Sequence, residues 1–244
     1  MVKLSQRLFN VSELITPGLR VADIGTDHGF LPIYLYQNNI AKSVIASDVK
    51  IGPLQKAAEN LEIAELSDKI DLRLSDGLKM YDPGEVDSIV MAGMGGNLMI
   101  DIISNSMDVC DKAHELILQP QSDVAKVRHF LQDNGYMIIS ESMVCEDGKF
   151  YPMMKAVHQE QCWDEEIDFI YGKILLREQN PVLHEFLIIE KEYLVDLYRE
   201  LSCREQTQAI TVRTREVERS LGYNQQALDA ISATNPIEKD RIIR

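Results

Sequence analysis

The sequence predicts an α/β fold, a mostly parallel seven-stranded sheet with helices on both faces, followed by a helical extension. Short apolar runs alternate with segments of helical periodicity up to about residue 160, and such runs stop after His158. The composition, 45% hydrophobic and 26% charged, is that of an ordinary globular protein. A chain of 244 residues is long enough for one large core and a small second domain.

Seven apolar runs are the predicted strands, and four segments between them carry apolar residues at helical spacing. The strands are predicted at residues 20–24, 43–47, 70–74, 88–91, 115–118, 137–140 and 153–157, and the helices at 31–39, 53–64, 96–106 and 124–133. Near-strict alternation of strand and helix implies a parallel sheet. The last two strands, which flank residues 146–148, are expected to form an antiparallel hairpin.

After His158 the chain becomes rich in Leu, Ile, Glu, Arg and Gln, which predicts helices over 164–177, 181–203 and 206–220. The second helix has a mainly apolar stripe, interpreted as packing against a neighbouring helix. Pro181 suits its first turn, and Gly222 is predicted to stop the last helix. The predicted domains are therefore an α/β domain over residues 1–158 and a helical hairpin over 159–244.

Cysteine usage and the N-terminal sequence bear on location. The four cysteines, Cys110, Cys145, Cys162 and Cys203, lack metal-ligand or redox spacing, which indicates reduced thiols and no metal site. The first residues lack the pattern of a signal peptide, and no apolar run is long enough to span a membrane. We expect a cytoplasmic protein without a membrane-bound segment.

A glycine loop follows the first predicted strand, in the sequence Asp23-Ile24-Gly25-Thr26-Asp27-His28-Gly29. Gly25 and Gly29 let the backbone turn sharply and approach a ligand. Asp23 and Asp27 would repel the pyrophosphate of a dinucleotide, and the third glycine of that fingerprint is missing. The two carboxylates suit a ligand with an ammonium or sulfonium charge and no phosphate, and S-adenosylmethionine is that ligand.

Further carboxylates and glycines follow the next strands. Asp48 ends the second strand, where an acid would bind ribose hydroxyls, and Asp76-Gly77 follows the third, where a carboxylate would face an adenine amino group. Each acid alone has an alternative as a helix cap or turn residue. The fourth strand runs through Met91 into Ala92-Gly93-Met94-Gly95-Gly96, where three glycines let something lie close to the backbone; a tight turn is the alternative.

Three segments carry a resemblance to a known family: Leu4-Ser5-Gln6-Arg7-Leu8, the loop region 21–32, and Ala92-Gly93-Met94-Gly95-Gly96. They resemble the bacterial TrmK family, class I S-adenosylmethionine-dependent methyltransferases that modify N1 of adenine 22 in the D-arm of tRNA. The likeness implies a Rossmann-like domain and a coiled-coil-like C-terminal hairpin. The C-terminal helices of this chain match those of the family only in their general residue pattern. The family's usual Ala-Tyr after the histidine is Gly29-Phe30 in this chain.

The resemblance implies two groups of site residues. The cofactor-binding residues would be Asp23, Gly25, Gly29, Asp48, Asp76, Gly77, Met91 and Gly93. Asp27, His28, Met94 and Gly95 would lie where the target base enters and are the candidate catalytic residues. Adenine N1 bears no proton, so alignment is expected to dominate, with Asp27 stabilising the developing positive charge. For His28, a helix-start residue hydrogen-bonded to backbone is the favoured alternative.

A net charge of −14 limits how the chain would hold tRNA, because binding to nucleic acid is driven mainly by phosphate neutralisation. Within residues 199–219, however, five arginines exceed four glutamates. The candidate phosphate contacts are Arg199, Arg204, Arg213, Arg215 and Arg219, with Lys3 and Arg7 near the chain start. Surface Arg–Glu pairs on a solvated helix are the alternative. No obligate protein partner is indicated.

Three other functions remain open on the residues alone. The chain could methylate a small metabolite or a protein, with the helices as a lid or dimer interface. A nicotinamide-dependent oxidoreductase is disfavoured by Asp27 and by the missing third glycine. A module that binds S-adenosylmethionine without transferring its methyl group is the third.

Overall fold

Seven strands form one sheet in the first part of the molecule. They are β1 Arg20–Ile24, β2 Ser43–Asp48, β3 Ile70–Leu74, β4 Ser88–Gly95, β5 Glu115–Ser122, β6 Tyr136–Glu146 and β7 Lys149–His158. The strand order is β3-β2-β1-β4-β5-β7-β6, with the first five strands parallel and β7 antiparallel to both of its neighbours. The prediction of a mostly parallel seven-stranded sheet ending in a hairpin is confirmed.

The computed structural model describes residues 2–205 and 207–233, and these fall into two compact units divided between Cys162 and Trp163. The domain boundary predicted after His158 coincides with the end of β7, a few residues before that division. In the described residues, no helix combines the length and apolar character needed to cross a membrane.

The helices of the first unit are α1 Gln6–Leu14, α2 Phe30–Gln37, α3 Ile51–Ile63, α4 Gly96–Ser104, α5 Met107–Cys110 and α6 Val124–Asp133. Helix α1 was not predicted. The Ser5 side chain caps it by accepting a hydrogen bond from the Leu8 backbone N–H at 3.3 Å, and the helix packs on β5, β6 and β7. Capping by Ser5, followed by apolar residues up to the buried Val11 and Leu14, was the available sequence signal.

Strand β4 is longer than predicted because the glycines after Met91 do not end its pairing. Pairing with β5 continues through irregular steps at Ala92/Met94 and Met94/Gly95. Strands β6 and β7 also extend beyond their apolar runs, since they pair with each other over almost their whole length. Because the ends of these strands are polar or glycine-rich, the apolar runs in the sequence predicted strands that are too short.

The order of the strands in the sheet places the carboxyl ends of β1 and β4 side by side at its centre. β1 pairs with β2 on one side and with β4 on the other, so the connections leave in opposite directions from this point. Open α/β sheets bind ligands in the crevice at such a switch point. The loops that follow Ile24 and Met91 thus lie at the position where a site is expected.

The second unit contains a short π-helix, Asp168–Gly172, and the helices α7 Lys173–Arg177, α8 Pro181–Ser202 and α9 Gln208–Ala233. Pro181 opens α8 as predicted, with the Asn180 side chain capping it. The predicted stop at Gly222 is wrong: α9 continues through this residue. Ala227 and Ile231 extend the buried side of α9, so packing maintains the helix past a glycine that costs about 1 kcal/mol.

Candidate functional site

A cleft of about 450 Å³ opens at the carboxyl ends of β1 and β4. It combines the glycine loop with the first turn of α1, the β4 loop and the end of β5. The lining residues are Ser5, Arg7, Leu8, Asp23, Gly25, Thr26, Asp27, His28, Phe30, Leu31, Ala92, Gly93 and Gln121. A cleft of about 650 Å³ against β2 and β3 contains none of the predicted site residues.

The glycine loop bends through three residues with positive φ: Gly25 at +76°, Asp27 at +50° and Gly29 at +71°. The end of β2 holds it, because the backbone N–H groups of Gly25 and Thr26 both donate to the Ser47 carbonyl, at 2.8 and 2.9 Å. A Cβ on Gly29 would lie 3.2 Å from the Ala57 Cβ of α3. Gly29 therefore permits a turn and a close packing contact, and its proposed role toward a cofactor is a prediction.

Asp23 is a buried carboxylate on the wall of this cleft, only 5% exposed. Burial raises the pKa of Asp23 from 3.8 to about 6, and the negative charge of Asp48 acts in the same direction while Thr26 opposes it. The Thr26 hydroxyl is also buried beside this carboxyl, and its hydrogen bond is what opposes the rise in the pKa of Asp23. A buried acid on the wall of a cleft forms a site suited to a positively charged ligand.

Asp48 and Asp76 lie at the same edge of the sheet but outside the lining of the cleft. The Asp48 carboxylate accepts a hydrogen bond from the Lys50 backbone N–H at 2.8 Å, and the exposed Asp76 pairs with Lys79 at 2.5 Å. Gly77 has a φ of +60° and faces Ile102. These contacts correspond to the turn and capping roles that were the alternative, so the ribose and adenine roles stay predictions.

The three glycines after Met91 lie close to the protein's own atoms. A Cβ on Gly93 would lie 3.3 Å from Arg7 Nη1, and one on Gly95 would lie 3.3 Å from the Ser122 hydroxyl. A Cβ on Gly96 would overlap the Ser122 carbonyl oxygen. The expectation of a close approach is correct here, and the approaching groups come from α1 and the end of β5.

Asp27 and His28 stand at the mouth of the cleft. His28 Nε2 lies 3.6 Å from Asp27 Oδ2, and the imidazole stacks on the Phe30 ring with a centroid distance of 5.5 Å and an angle of 9°. His28 lies two residues before the start of α2, as the favoured alternative of a helix-start residue expects, and its ring contacts Asp27 and Phe30. Its backbone carbonyl accepts a hydrogen bond from the Asn60 side chain.

Sequence reasoning missed the part of the site that α1 contributes, whereas it placed the glutamines at the end of β5 at this edge of the sheet. Arg7 was expected at a tRNA phosphate, whereas its side chain lines the cleft and donates a hydrogen bond to Gln119 at 2.8 Å. Phe30 was noted only as a departure from the family pattern. The signal for Arg7 was its place beside the capping Ser5, within the segment that carried the resemblance.

Three of the five candidate arginines in the helical unit pair with acids on or beside their own helix: Arg199 with Asp196, Arg204 with Glu200 and Arg213 with Glu216. For Arg215 and Arg219, the described part of the chain supplies no ion pair. Lys3 is exposed. Surface pairing, the alternative reading, therefore applies to three positions, and contact with tRNA is a prediction for all of them.

Comparison with known proteins agrees with this geometry. A family model described as a methyltransferase domain matches residues 4–154. The tRNA (adenine(22)-N(1))-methyltransferase of Bacillus subtilis (strain 168) is 32% identical over 221 residues, 88% of this chain and 93% of that protein.

Two solved structures extend the likeness to the fold. The crystal structure of the B. subtilis m1A22 tRNA methyltransferase TrmK has a TM-score of 0.85 at 31% identity, over 94% of this chain and 100% of that one. The structure of M. capricolum TrmK in complex with the cofactor product S-adenosylhomocysteine has a TM-score of 0.81 at 27% identity, over 93% and 99%. From the glycine loop to the C-terminal helices, the chain belongs to the TrmK family of class I methyltransferases.

Proposed function

We propose that this protein transfers a methyl group from S-adenosylmethionine to N1 of adenine 22 in tRNA, in the cytoplasm. The observation that carries the proposal is the 32% identity to the B. subtilis enzyme over 88% of the chain. The match to the methyltransferase-domain model, over residues 4–154, takes in every lining residue of the cleft. The bound cofactor supplies an electrophilic methyl group on a sulfonium sulfur.

The cleft fits such a cofactor by charge and by shape. Asp23 and Asp27 place two carboxylates on the β1 side, which favours the sulfonium and ammonium charges and disfavours a pyrophosphate. A Cβ on Gly25 would overlap the Met94 side chain and a Cβ on Gly93 would lie 3.3 Å from Arg7 Nη1, so glycine at both positions lets the walls of the cleft lie close together.

The protein's contribution to the reaction is mainly alignment. Adenine N1 carries a lone pair and no proton, so no strong base is required. The site must hold this nitrogen roughly 3–3.5 Å from the methyl carbon. Methylation leaves the adenine ring cationic, and the exposed Asp27 carboxylate at the mouth of the cleft stabilises the charge as it develops.

Replacing Asp27 with Asn is expected to lower the single-turnover rate of methyl transfer about tenfold, because the variant lacks the negative charge near the adenine ring. The rates are compared at saturating S-adenosylmethionine, so that a change in cofactor affinity does not enter the comparison. Asp147→Asn is a matched control, since Asp147 also has a positive φ (+51°) but lies in the β6–β7 turn. An unchanged single-turnover rate in Asp27→Asn would remove this role.

The helical unit is proposed to contact the tRNA backbone through its arginines. The double variant Arg213→Glu with Arg215→Glu is expected to weaken tRNA binding at least tenfold at low salt, since it reverses two charges near phosphates. Cofactor affinity should not change. The control Lys112→Glu with Lys149→Glu makes the same charge change in the other unit, at two exposed positions. Equal tRNA affinity of both double variants would exclude the contact.

The function itself is tested with unmodified tRNA transcripts and labelled S-adenosylmethionine. Label is expected in 1-methyladenosine at position 22, and a transcript with guanine at that position should not accept it. Label at another nucleotide would change the substrate assignment. Binding of S-adenosylhomocysteine without any transfer to tRNA would favour a small-molecule methyltransferase or a non-catalytic binding module, which assays on metabolite pools then separate.

A further inference from the structure

Arg7 brings a positive charge into the cleft that no carboxylate of the described residues neutralises. Its side chain is half-buried, and its Nη1 donates to the neutral amide oxygen of Gln119 at 2.8 Å. Burial of a charge is costly unless the charge is paired. The guanidinium of Arg7 would therefore be stabilised by an anion that the described residues do not supply.

Other buried or half-buried arginines and lysines in this unit form ion pairs with carboxylates of the protein itself. Arg20 pairs with Asp87 at 2.6 Å, Arg73 with Glu85 at 2.8 Å, Arg128 with Glu141 at 2.8 Å and Lys155 with Glu115 at 2.7 Å. The chain has 39 acids for 25 basic residues, so internal partners are plentiful. An arginine without one, on the wall of a cleft, points to an anion from outside.

The buried side chain of Gln119 fixes the position of Arg7 through a hydrogen bond. Gln119 is fully buried, and its amide oxygen accepts hydrogen bonds from both Arg7 Nη1 and the Gly93 backbone N–H, the latter at 3.1 Å. Its amide nitrogen donates to the Pro120 carbonyl at 3.1 Å. The guanidinium carbon also lies 5.7 Å from the centre of the Tyr151 ring, within the range of a cation–π contact.

The charges around the cleft identify the anion. Asp23 and Asp27 line the β1 side, and Arg7 is the one lysine or arginine among the described residues of the lining. The methionine end of S-adenosylmethionine carries a sulfonium, an ammonium and a single carboxylate. On the basis of the proposed function, we propose that Arg7 binds this carboxylate and that Gln119 is a positioning residue that holds Arg7 against Gly93.

A pair of ligands separates this role from the others. S-adenosylhomocysteine has the amino-acid carboxylate, and 5′-methylthioadenosine lacks the whole amino-acid group. By calorimetry, Arg7→Met should bind S-adenosylhomocysteine at least tenfold more weakly, with the affinity for 5′-methylthioadenosine unchanged within about twofold. Gln119→Leu should show the same selective loss to a smaller extent, and Arg7→Lys should recover part of the affinity. Lys42→Met, an exposed lysine at the opposite edge of the sheet, is the charge-matched control.

The other outcomes test the Arg7 assignment and the proposed function separately. Equal loss for both ligands would make Arg7 a structural residue. Unchanged affinity for both, with weaker binding of tRNA, would make it a phosphate contact. If the wild type binds S-adenosylhomocysteine through Arg7 but does not methylate tRNA, the proposed function fails and the carboxylate contact stands. If the wild type binds neither ligand, both proposals fail.

Discussion

Replacing Asp23 with Asn is expected to stabilise the ligand-free protein at neutral pH while abolishing cofactor binding. Burial raises the pKa of this carboxyl from 3.8 to about 6. At pH 7.5 the folded protein therefore holds an ionised group that it disfavours relative to the unfolded chain. At 1.36 kcal/mol for each pKa unit, the cost is up to about 3 kcal/mol. Asn removes the charge and keeps the shape, but it no longer attracts a sulfonium or ammonium group.

The raised pKa of Asp23 also determines how the effect on stability changes with pH. The destabilisation from Asp23 is fully present above its folded-state pKa of about 6 and absent below its ordinary value of 3.8. This group thus lowers the free energy of unfolding of the wild type as pH rises between those values. The melting temperature of Asp23→Asn should exceed that of the wild type by several degrees at pH 7.5, and the difference should vanish near pH 3.5.

Thermal unfolding without ligand at the two pH values, with calorimetric titration of S-adenosylhomocysteine, measures both effects. Asp101→Asn, an exposed position on α4, is the control and should change stability by less than about 0.5 kcal/mol. A lower melting temperature for Asp23→Asn at pH 7.5 would contradict the reasoning, as would retained binding.

Two glycines at the starts of helices are expected to respond in opposite directions to alanine. Gly96 opens α4, and a Cβ there would overlap the Ser122 carbonyl oxygen and lie 2.9 Å from a methyl group of Val127. Gly52 is the second residue of α3, and a Cβ there meets nothing within 4 Å. Neither has a positive φ, so the difference between them is one of space.

Gly96→Ala should lower the free energy of unfolding by about 3 kcal/mol, because the clash is with backbone that cannot yield cheaply. Gly52→Ala should raise it by up to about 1 kcal/mol, the usual gain from alanine in a helix. Urea unfolding of both variants measures the contrast. Similar effects at the two sites would show that the contact between Gly96 and the Ser122 carbonyl is less tight than described above.

The positions of the strands along the chain and the centre of the site were predictable because their signals are local. Apolar runs placed every strand of the sheet, and the glycine loop with Asp23 and Asp27 indicated a cationic ligand. Strand ends were harder to predict, since Met94 and Gly95 continue β4 only because they pair with β5, which is distant in sequence. Helix α1 depends on packing against the hairpin, and α9 passes Gly222 because buried residues follow it.

By itself, the sequence determined the fold class, the carboxyl edge proposed for the ligand and, through the resemblance, the family and its reaction. Only the tertiary structure decided which charges meet there. Arg7, Gly93 and Gln119 are far apart in the chain and converge because α1 packs on the sheet and β4 lies beside β5. The net charge of −14 gave no sign of this, because a charge count is a sum, whereas a binding site depends on where each charge is held.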